Sequence, residues 1–365
     1  MEFEPLIPVD FPLKYRIMDL NETHGRAKRM KEKAIFMGNE RAIADAYGDD
    51  VKAKLNETLD FLPGFYTEDL LRDGRPHPEL ADVRYAFSTW GIAPLTEEEL
   101  AALLPDLKAV FYAAGSVQAF ARPFLKRGVT IFSAWGANGV PVAEFTEAEI
   151  ILANKGFFQT VHRGGAPDWP EHDRAKPHPG NFNTCVGIIG AGMIGSMVIE
   201  RLKSHRLRVK VFDPFLSGER AAALGAEKTE SLPELFAQCR VISNHLANNP
   251  QTVNMIDKRC FDNMEDTGVF INTGRGQQVV EADLIAALKE KPGRAAVLDV
   301  TWPEPPAPGS ELYTLPNVFL TPHAAGSIGN EIRRMGEYMC AEYEAFVSGR
   351  PTRYTVTEKM LETMA

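Results

Sequence analysis

The sequence predicts an α/β protein built from two doubly wound parallel sheets. Two observations carry this expectation. From Cys185 onward, short apolar runs alternate with helical segments, as a parallel sheet covered on both faces requires. Between Lys33 and Ser133 a weaker version of the same alternation recurs. The 365 residues are also more than one core usually fills, so two domains are the natural division.

The elements follow in order. Residues 1–30 have no clear period and read as an N-terminal extension. In the first domain, 31–141, strands are expected at Lys33–Met37, Val83–Thr89, Val110–Ala113 and Thr130–Ser133, with helices near Arg41–Leu59 and Glu97–Leu103. Val142–Asn154 predicts a long helix linking the domains, and the Pro- and Gly-rich stretch Gly164–Gly180 an exposed loop. In the second domain, 142–326, strands are expected at Cys185–Ile189, Val209–Asp213, Val241–Ser243, Val269–Asn272, Ala295–Asp299 and Val318–Leu320. Helices are expected at Ile194–Ser204, with Met197, Val198 and Leu202 on its apolar face, and at Glu281–Lys289. A helix over Glu331–Ser348 returns the chain to the first domain, so 327–350 complete it, and 351–365 read as a surface tail.

Composition excludes several classes. A net charge of −9 argues against a nucleic-acid-binding surface or attraction to anionic membranes. No apolar run approaches the roughly 20 residues needed to span a bilayer. The start M-E-F-E-P-L-I-P-V-D lacks the basic and apolar stretches of a signal peptide. Cys185, Cys239, Cys260 and Cys340 lie far apart without C-x-x-C spacing, and read as buried free thiols of a cytoplasmic protein, with neither a disulfide framework nor a metal site.

The most informative segment is C-V-G-I-I-G-A-G-M-I-G, Cys185–Gly195, where an apolar run breaks into G-x-G-x-x-G. Gly190 permits the tight strand-to-helix turn, Gly192 lets backbone approach a pyrophosphate, and Gly195 lets the helix pack on the strand. Asp213 ends the next apolar run, V-K-V-F-D, where a carboxylate can accept hydrogen bonds from adenine-ribose hydroxyls. Strand, glycine turn, helix and acid together predict a dinucleotide site, and six strands make a complete Rossmann-like domain.

Three polar residues stand just beyond predicted strands: Arg275 in N-T-G-R-G, Glu304 in L-D-V-T-W-P-E-P and His323 in T-P-H-A-A-G-S. In open α/β sheets ligands bind outside the carboxyl ends of the strands. Taken singly, each could be an ordinary loop residue. Together they supply what hydride transfer to a 2-keto acid needs. A guanidinium holds a carboxylate in a two-pronged geometry, and an imidazolium protonates the carbonyl oxygen. A carboxylate beside the imidazole orients the ring and favours its charged form.

With these motifs in order, the chain resembles the D-isomer-specific 2-hydroxyacid dehydrogenases, from about Lys33 to Arg350 and most tightly from Cys185 to Gly326. The resemblance implies two Rossmann-like domains with the active site in the interdomain cleft. It implies His323 as acid/base, Glu304 as its partner, and Arg275 as carboxylate anchor and carbonyl polariser. It places Met193 and Ile194 at the pyrophosphate, and Leu246 and Ala247 along the cofactor cleft. Thr273, Gly274 and Asp299 fall at the nicotinamide end, with Asp299 bonding the carboxamide. Ala114 and Gly115 offer backbone donors to the substrate, and Gly136–Asn138 is the turn before the interdomain helix. It also implies a homodimer.

Departures gather on the substrate side: Gln118 where an aspartate is usual, Trp135 and Gly139 where smaller or hydroxylated residues are, and Ala247 in place of proline. Trp135 and Trp302 read as core or rim aromatics. NAD is favoured over NADP, because Asp213 repels a 2′-phosphate and 214–217 hold no Arg or Lys, although Arg220 lies nearby. The expectation is an NAD-dependent oxidoreductase interconverting a 2-keto acid and a D-2-hydroxy acid, with hinge closure drying the cleft. The alternative is a catalytically silent NAD(H)-binding regulator or corepressor on the same scaffold.

Overall fold

A computed structural model of the chain describes residues 31–161 and 177–362. The expected N-terminal extension, most of the Gly164–Gly180 loop and residues 363–365 lie outside the described residues. The strands are β1 (Glu32–Met37), β2 (Leu59–Phe65), β3 (Val83–Ser88), β4 (Ala109–Tyr112), β5 (Thr130–Ser133), β6 (Phe182–Ile189) and β7 (Arg206–Phe212). They continue as β8 (Glu227–Lys228), β9 (Val241–Asn244), β10 (Val269–Asn272), β11 (Ala295–Leu298), β12 (Val318–Leu320) and β13 (Thr355–Val356).

They form two sheets, ordered β13-β5-β4-β3-β1-β2 and β12-β11-β10-β9-β6-β7-β8. Every pairing is parallel except β13 on β5. Strand order reverses between β1 and β3 in the first sheet and between β6 and β9 in the second. Those reversals open the crevices in which doubly wound folds bind ligands. Helices that matter for the site are α1 (Glu40–Asn56), α2 (Trp135–Asn154), α3 (Met193–Leu202), α4 (Leu232–Gln238) and α5 (Glu331–Val347). The last packs on α1 and so returns to the first sheet, as the sequence suggests. No helix among the described residues is long and apolar enough to cross a membrane.

Burial explains the strand patterns. In the second sheet Val186, Ile188, Val211, Ile271 and Val297 pack beneath α2 and α3, while Ile189, Ile242, Phe270 and Leu298 pack on the other face with Leu235 and Phe236 of α4. Both faces are covered, hence the continuous apolar runs.

Four details differ from the sequence expectation. β2 was not expected because Pro63 and Gly64 interrupt it; it lies at an edge, where a missing N–H is tolerated. β8, only two residues long, makes the second sheet seven-stranded rather than six-stranded. α2 begins at Trp135, so Gly136–Asn138 form its first turn instead of a turn before it. Gly136 admits the ring of Tyr354 and Gly139 the Met193 side chain, contacts that only the assembled fold makes. Finally, the segment after Arg350 is no free tail: β13 pairs with β5, and Val356 and Leu361 enter the first core.

Candidate active site

The glycine turn follows from backbone sterics. Gly190 has φ +86°, and a Cβ there would stand 2.9 Å from the His245 carbonyl oxygen. At Gly195 a Cβ would strike the Gly190 carbonyl, so helix α3 can sit close only without one. At Gly192, by contrast, a Cβ would meet nothing within 4 Å. Two glycines are therefore required by the protein itself and the third faces open space. Open space over a helix N-terminus, whose first N–H groups have no partner within the helix, has the shape and charge to receive a phosphate.

Asp213 follows β7 and closes this turn. Its carboxylate accepts N–H bonds from Ala191 (2.8 Å) and Phe215 (2.8 Å). A carboxylate has about four lone-pair sites, so capacity remains for ribose hydroxyls. The residues present fit a dinucleotide. Among the described residues no cluster could hold a metal ion.

The wall beyond β9 and β10 is set by a buried amide network that sequence reasoning missed. Asn244 Nδ2 donates to Asn272 Oδ1 (2.9 Å) and Gln278 Oε1 (2.6 Å). Gln278 Nε2 in turn donates to the carbonyls of Leu246 and Ala247, both at 2.9 Å. Gly274 N donates to Asn272 Oδ1 and Arg275 N to Gln278 Oε1. A Cβ on Gly274 would stand 2.8 Å from Asn244 Nδ2. The only sequence signal was an Asn at the end of each strand, in S-N-H and I-N-T. Thr273 is held by Thr146 of α2 at 3.0 Å. Burial pushes the neighbouring His245 down to about 3, leaving it a neutral imidazole.

Arg275, Glu304 and His323 come from three separate loops. His323 Nδ1 lies 2.6 Å from Glu304 Oε1, and the two side chains are 48% and 39% exposed. Arg275 donates from Nη1 to the Gly274 carbonyl (2.7 Å). Burial lowers its pKa, and the charge of Glu304 works in the opposite direction. The Arg275 and Glu304 loops touch because Gly276 has no side chain: a Cβ there would overlap the Thr301 backbone.

The His323 loop is anchored from below. His323 has φ +53°, which ordinary residues rarely adopt, and donates its N–H to the Asp299 carbonyl (3.0 Å). The Asp299 carboxylate accepts from Thr321 Oγ1 (2.6 Å), Ala324 N (2.7 Å) and Ala325 N (3.0 Å). Most of Asp299 is thus committed to this loop, a role the sequence did not reveal. Beneath it Glu149 of α2 is buried with Oε2 unpaired; desolvation, aided by the charge of Asp299, raises its pKa to about 8.

On the other sheet, Ala114 and Gly115 follow β4, and their carbonyls accept from Ser133 Oγ at 2.9 and 2.5 Å. Asn138 ties this loop to that of His323. Its Oδ1 accepts Ser327 N–H at 3.0 Å, and it borders both Gly115 and Gly326 so closely that a Cβ would stand 3.4 or 3.3 Å away. Gln118, expected to bear on substrate, instead donates to the Leu361 carbonyl (2.8 Å) and holds the C-terminal segment. Trp135 packs edge-on against Tyr354, whereas Trp302 is 60% exposed.

Residues 149–325 match the model of the NAD-binding domain of the D-isomer specific 2-hydroxyacid dehydrogenases. A D-3-phosphoglycerate dehydrogenase of Archaeoglobus fulgidus is 32% identical over 237 residues, 65% of this chain and 44% of that one. Its counterpart in Methanocaldococcus jannaschii is 29% identical over 224 residues, 61% and 42% of the two chains. The chain therefore spans less than half the length of these relatives. Among solved structures, apo D-mandelate dehydrogenase of Rhodotorula graminis superimposes with a TM-score of 0.75 at 20% identity, covering 90% of this chain and 98% of that one.

Proposed function

This chain belongs, through residues 149–325, to the D-isomer specific 2-hydroxyacid dehydrogenase family, and we propose that it is an NAD-dependent enzyme interconverting a 2-keto acid and a D-2-hydroxy acid. The observation that carries the reading is the 2.6 Å approach of His323 Nδ1 to Glu304 Oε1, in a loop cluster that also holds Arg275. When bound, the nicotinamide ring supplies hydride in one direction and accepts it in the other.

The chain's own residues have separable tasks. Glu304 engages Nδ1 of His323, so Nε2 is the ring nitrogen left to meet the substrate oxygen. In reduction Nε2–H gives its proton to the carbonyl oxygen; in oxidation neutral Nε2 takes it from the hydroxyl. Arg275 has one donor on Gly274, and its remaining donors form the fork for a carboxylate. Because the guanidinium is partly desolvated, its attraction for that carboxylate is stronger than in water. Gly115 lends a backbone donor from the loop after β4, whereas the Ala114 N–H, expected to do the same, is donated to the Tyr112 carbonyl (2.9 Å).

On this reading Gly190, Gly192 and Gly195 form the pyrophosphate cradle with Met193 and Ile194, and Asp213 holds the adenosine ribose. Leu246 and Ala247 line the cleft; Thr273, Gly274 and Asp299 flank the nicotinamide. Asp213 and the lack of Arg or Lys in 214–217 support NAD over NADP. The half-exposed His323–Glu304 pair suits an open cleft that dries on closure. A homodimer belongs to the same proposal.

The test is oxidation of NADH, and separately NADPH, with glyoxylate, hydroxypyruvate, pyruvate and phenylpyruvate, on the parent, His323→Ala and Arg275→Lys. Turnover with NADH that collapses in both variants is expected. Near-parental turnover in either variant removes the role assigned to that residue. Tight NADH binding without turnover on any keto acid favours the silent regulator.

A further inference from the structure

Two of the four cysteines, distant in sequence, meet in the second domain. Cys185 lies in β6 and Cys239 just after α4, and their sulfurs are 3.4 Å apart. The backbone fixes this approach. Arg240 N donates to the Cys185 carbonyl (3.1 Å), so the two chains run side by side where the cysteines stand. One strand spacing of about 4.8 Å and one residue rise of about 3.3 Å put their Cα atoms on the order of 6 Å apart. That lies inside the roughly 4.4–6.8 Å span that a disulfide bridges without moving the backbone. Gly187 makes the approach possible, since a Cβ there would stand 3.3 Å from Cys239 Sγ and 3.0 Å from the Leu235 side chain. The sulfurs need close by little more than an ångström to bond.

We propose that Cys185 and Cys239 form a peroxide-sensitive dithiol that closes to an intrachain disulfide. Cys185 is the attacking sulfur. The Cys239 sulfur lies within hydrogen-bond reach of it, and the charges of Arg208 and Lys210 add to that contact; together they hold its pKa below the usual thiol range despite burial and the opposing charge of Glu227. The adjacent Cys185 sulfur and, after it, burial push Cys239 upward, which favours its thiol form. The Cys185 thiolate attacks one peroxide oxygen and the O–O bond breaks. The departing hydroxide takes up the proton Cys185 released and leaves as water, and Cys185 becomes a sulfenic acid. Cys239 sulfur then displaces the remaining hydroxide, which leaves as water with the Cys239 proton. Two thiols lose two electrons, and one peroxide gains them. Cys260 and Cys340, each pushed up to about 11 by burial, are poor competitors.

The pair flanks the amino end of β9, the end of the sheet opposite the candidate active site, so NADH should not protect it. The test treats the full chain with hydrogen peroxide, denatures it, and alkylates the remaining thiols. Alkylation of two of the four cysteines is expected, with all four restored by dithiothreitol and a peptide map joining 185 to 239. Saturating NADH should leave that pattern unchanged. In Cys239→Ser, checked for folding by circular dichroism, dimedone should trap Cys185 as its sulfenic acid. Four alkylated cysteines after treatment, a bridge to Cys260 or Cys340, or a link between two chains would each overturn the proposal. So would a Cys239→Ser protein in which Cys185 takes no dimedone. In the parent chain diamide gives a second measurement that needs no engineered variant, and failure to join 185 to 239 there also overturns it.

Discussion

Replacing Glu149 by glutamine should flatten the pH dependence of this protein's stability. Glu149 is buried on α2, its Oε2 has no partner, and Asp299 adds a like charge; together they raise its pKa from 4.5 to about 8. A raised carboxyl keeps its proton in the fold while the unfolded chain has lost it. The associated stability is complete below pH 4.5 and declines until pH passes about 8. At roughly 1.4 kcal/mol per pH unit the whole decline is about 5 kcal/mol, and the part between pH 6 and pH 9 about 3 kcal/mol. Glutamine is neutral throughout and has no such decline. Its amide still lacks a partner and costs about 1–3 kcal/mol, but at every pH alike. Urea unfolding of parent and variant at pH 6, 7, 8 and 9, at constant ionic strength, measures the difference in slope. Parallel stability curves for the two proteins would refute the argument.

Four other outcomes follow from the geometry. Glu304→Gln keeps the side-chain shape but weakens the hold on the His323 imidazolium; kcat for keto-acid reduction should fall by roughly two orders of magnitude while NADH affinity, read by fluorescence titration, is unchanged. Gly192→Ala should fold as the parent does, because nothing lies within 4 Å of its Cβ, yet bind NADH more weakly. Gly190→Ala should lose about 1–3 kcal/mol of stability in urea unfolding, from its positive φ and the His245 carbonyl. Asn138→Ala removes the acceptor for Ser327 N–H; KM for the keto acid should rise with NADH affinity unaltered, since the contact joins the two substrate-side loops.

Much of the second domain was legible because parallel strands buried on both faces leave continuous apolar runs, and the glycine turn leaves a fixed spacing. Val269–Asn272 and Val318–Leu320 agree with expectation to the residue, and the second sheet's other long strands to within a few. The first domain was less legible where sequence and tertiary demands conflict. Pro63 and Gly64 stand in an edge strand that the sequence did not suggest; Gly136 reads as part of a turn but, with Gly139, lies in the first turns of a helix. Their roles depend on what packs against them, Tyr354 for one and Met193 for the other. The amides Asn244, Asn272 and Gln278 carry no local signature, since their value lies wholly in meeting one another.

Local physics alone determined the strand-turn-helix at Gly190–Gly195, the acid at Asp213 and the presence of Arg275, Glu304 and His323 beyond strand ends, because each follows from neighbours in the chain. Only the tertiary structure decided that His323 meets Glu304, that Asp299 is committed to the His323 loop, that Glu149 lies buried beneath it, and that Cys185 faces Cys239. Those are contacts between residues tens to hundreds of positions apart. Their energies depend on distance and burial, which a linear order of residues does not contain.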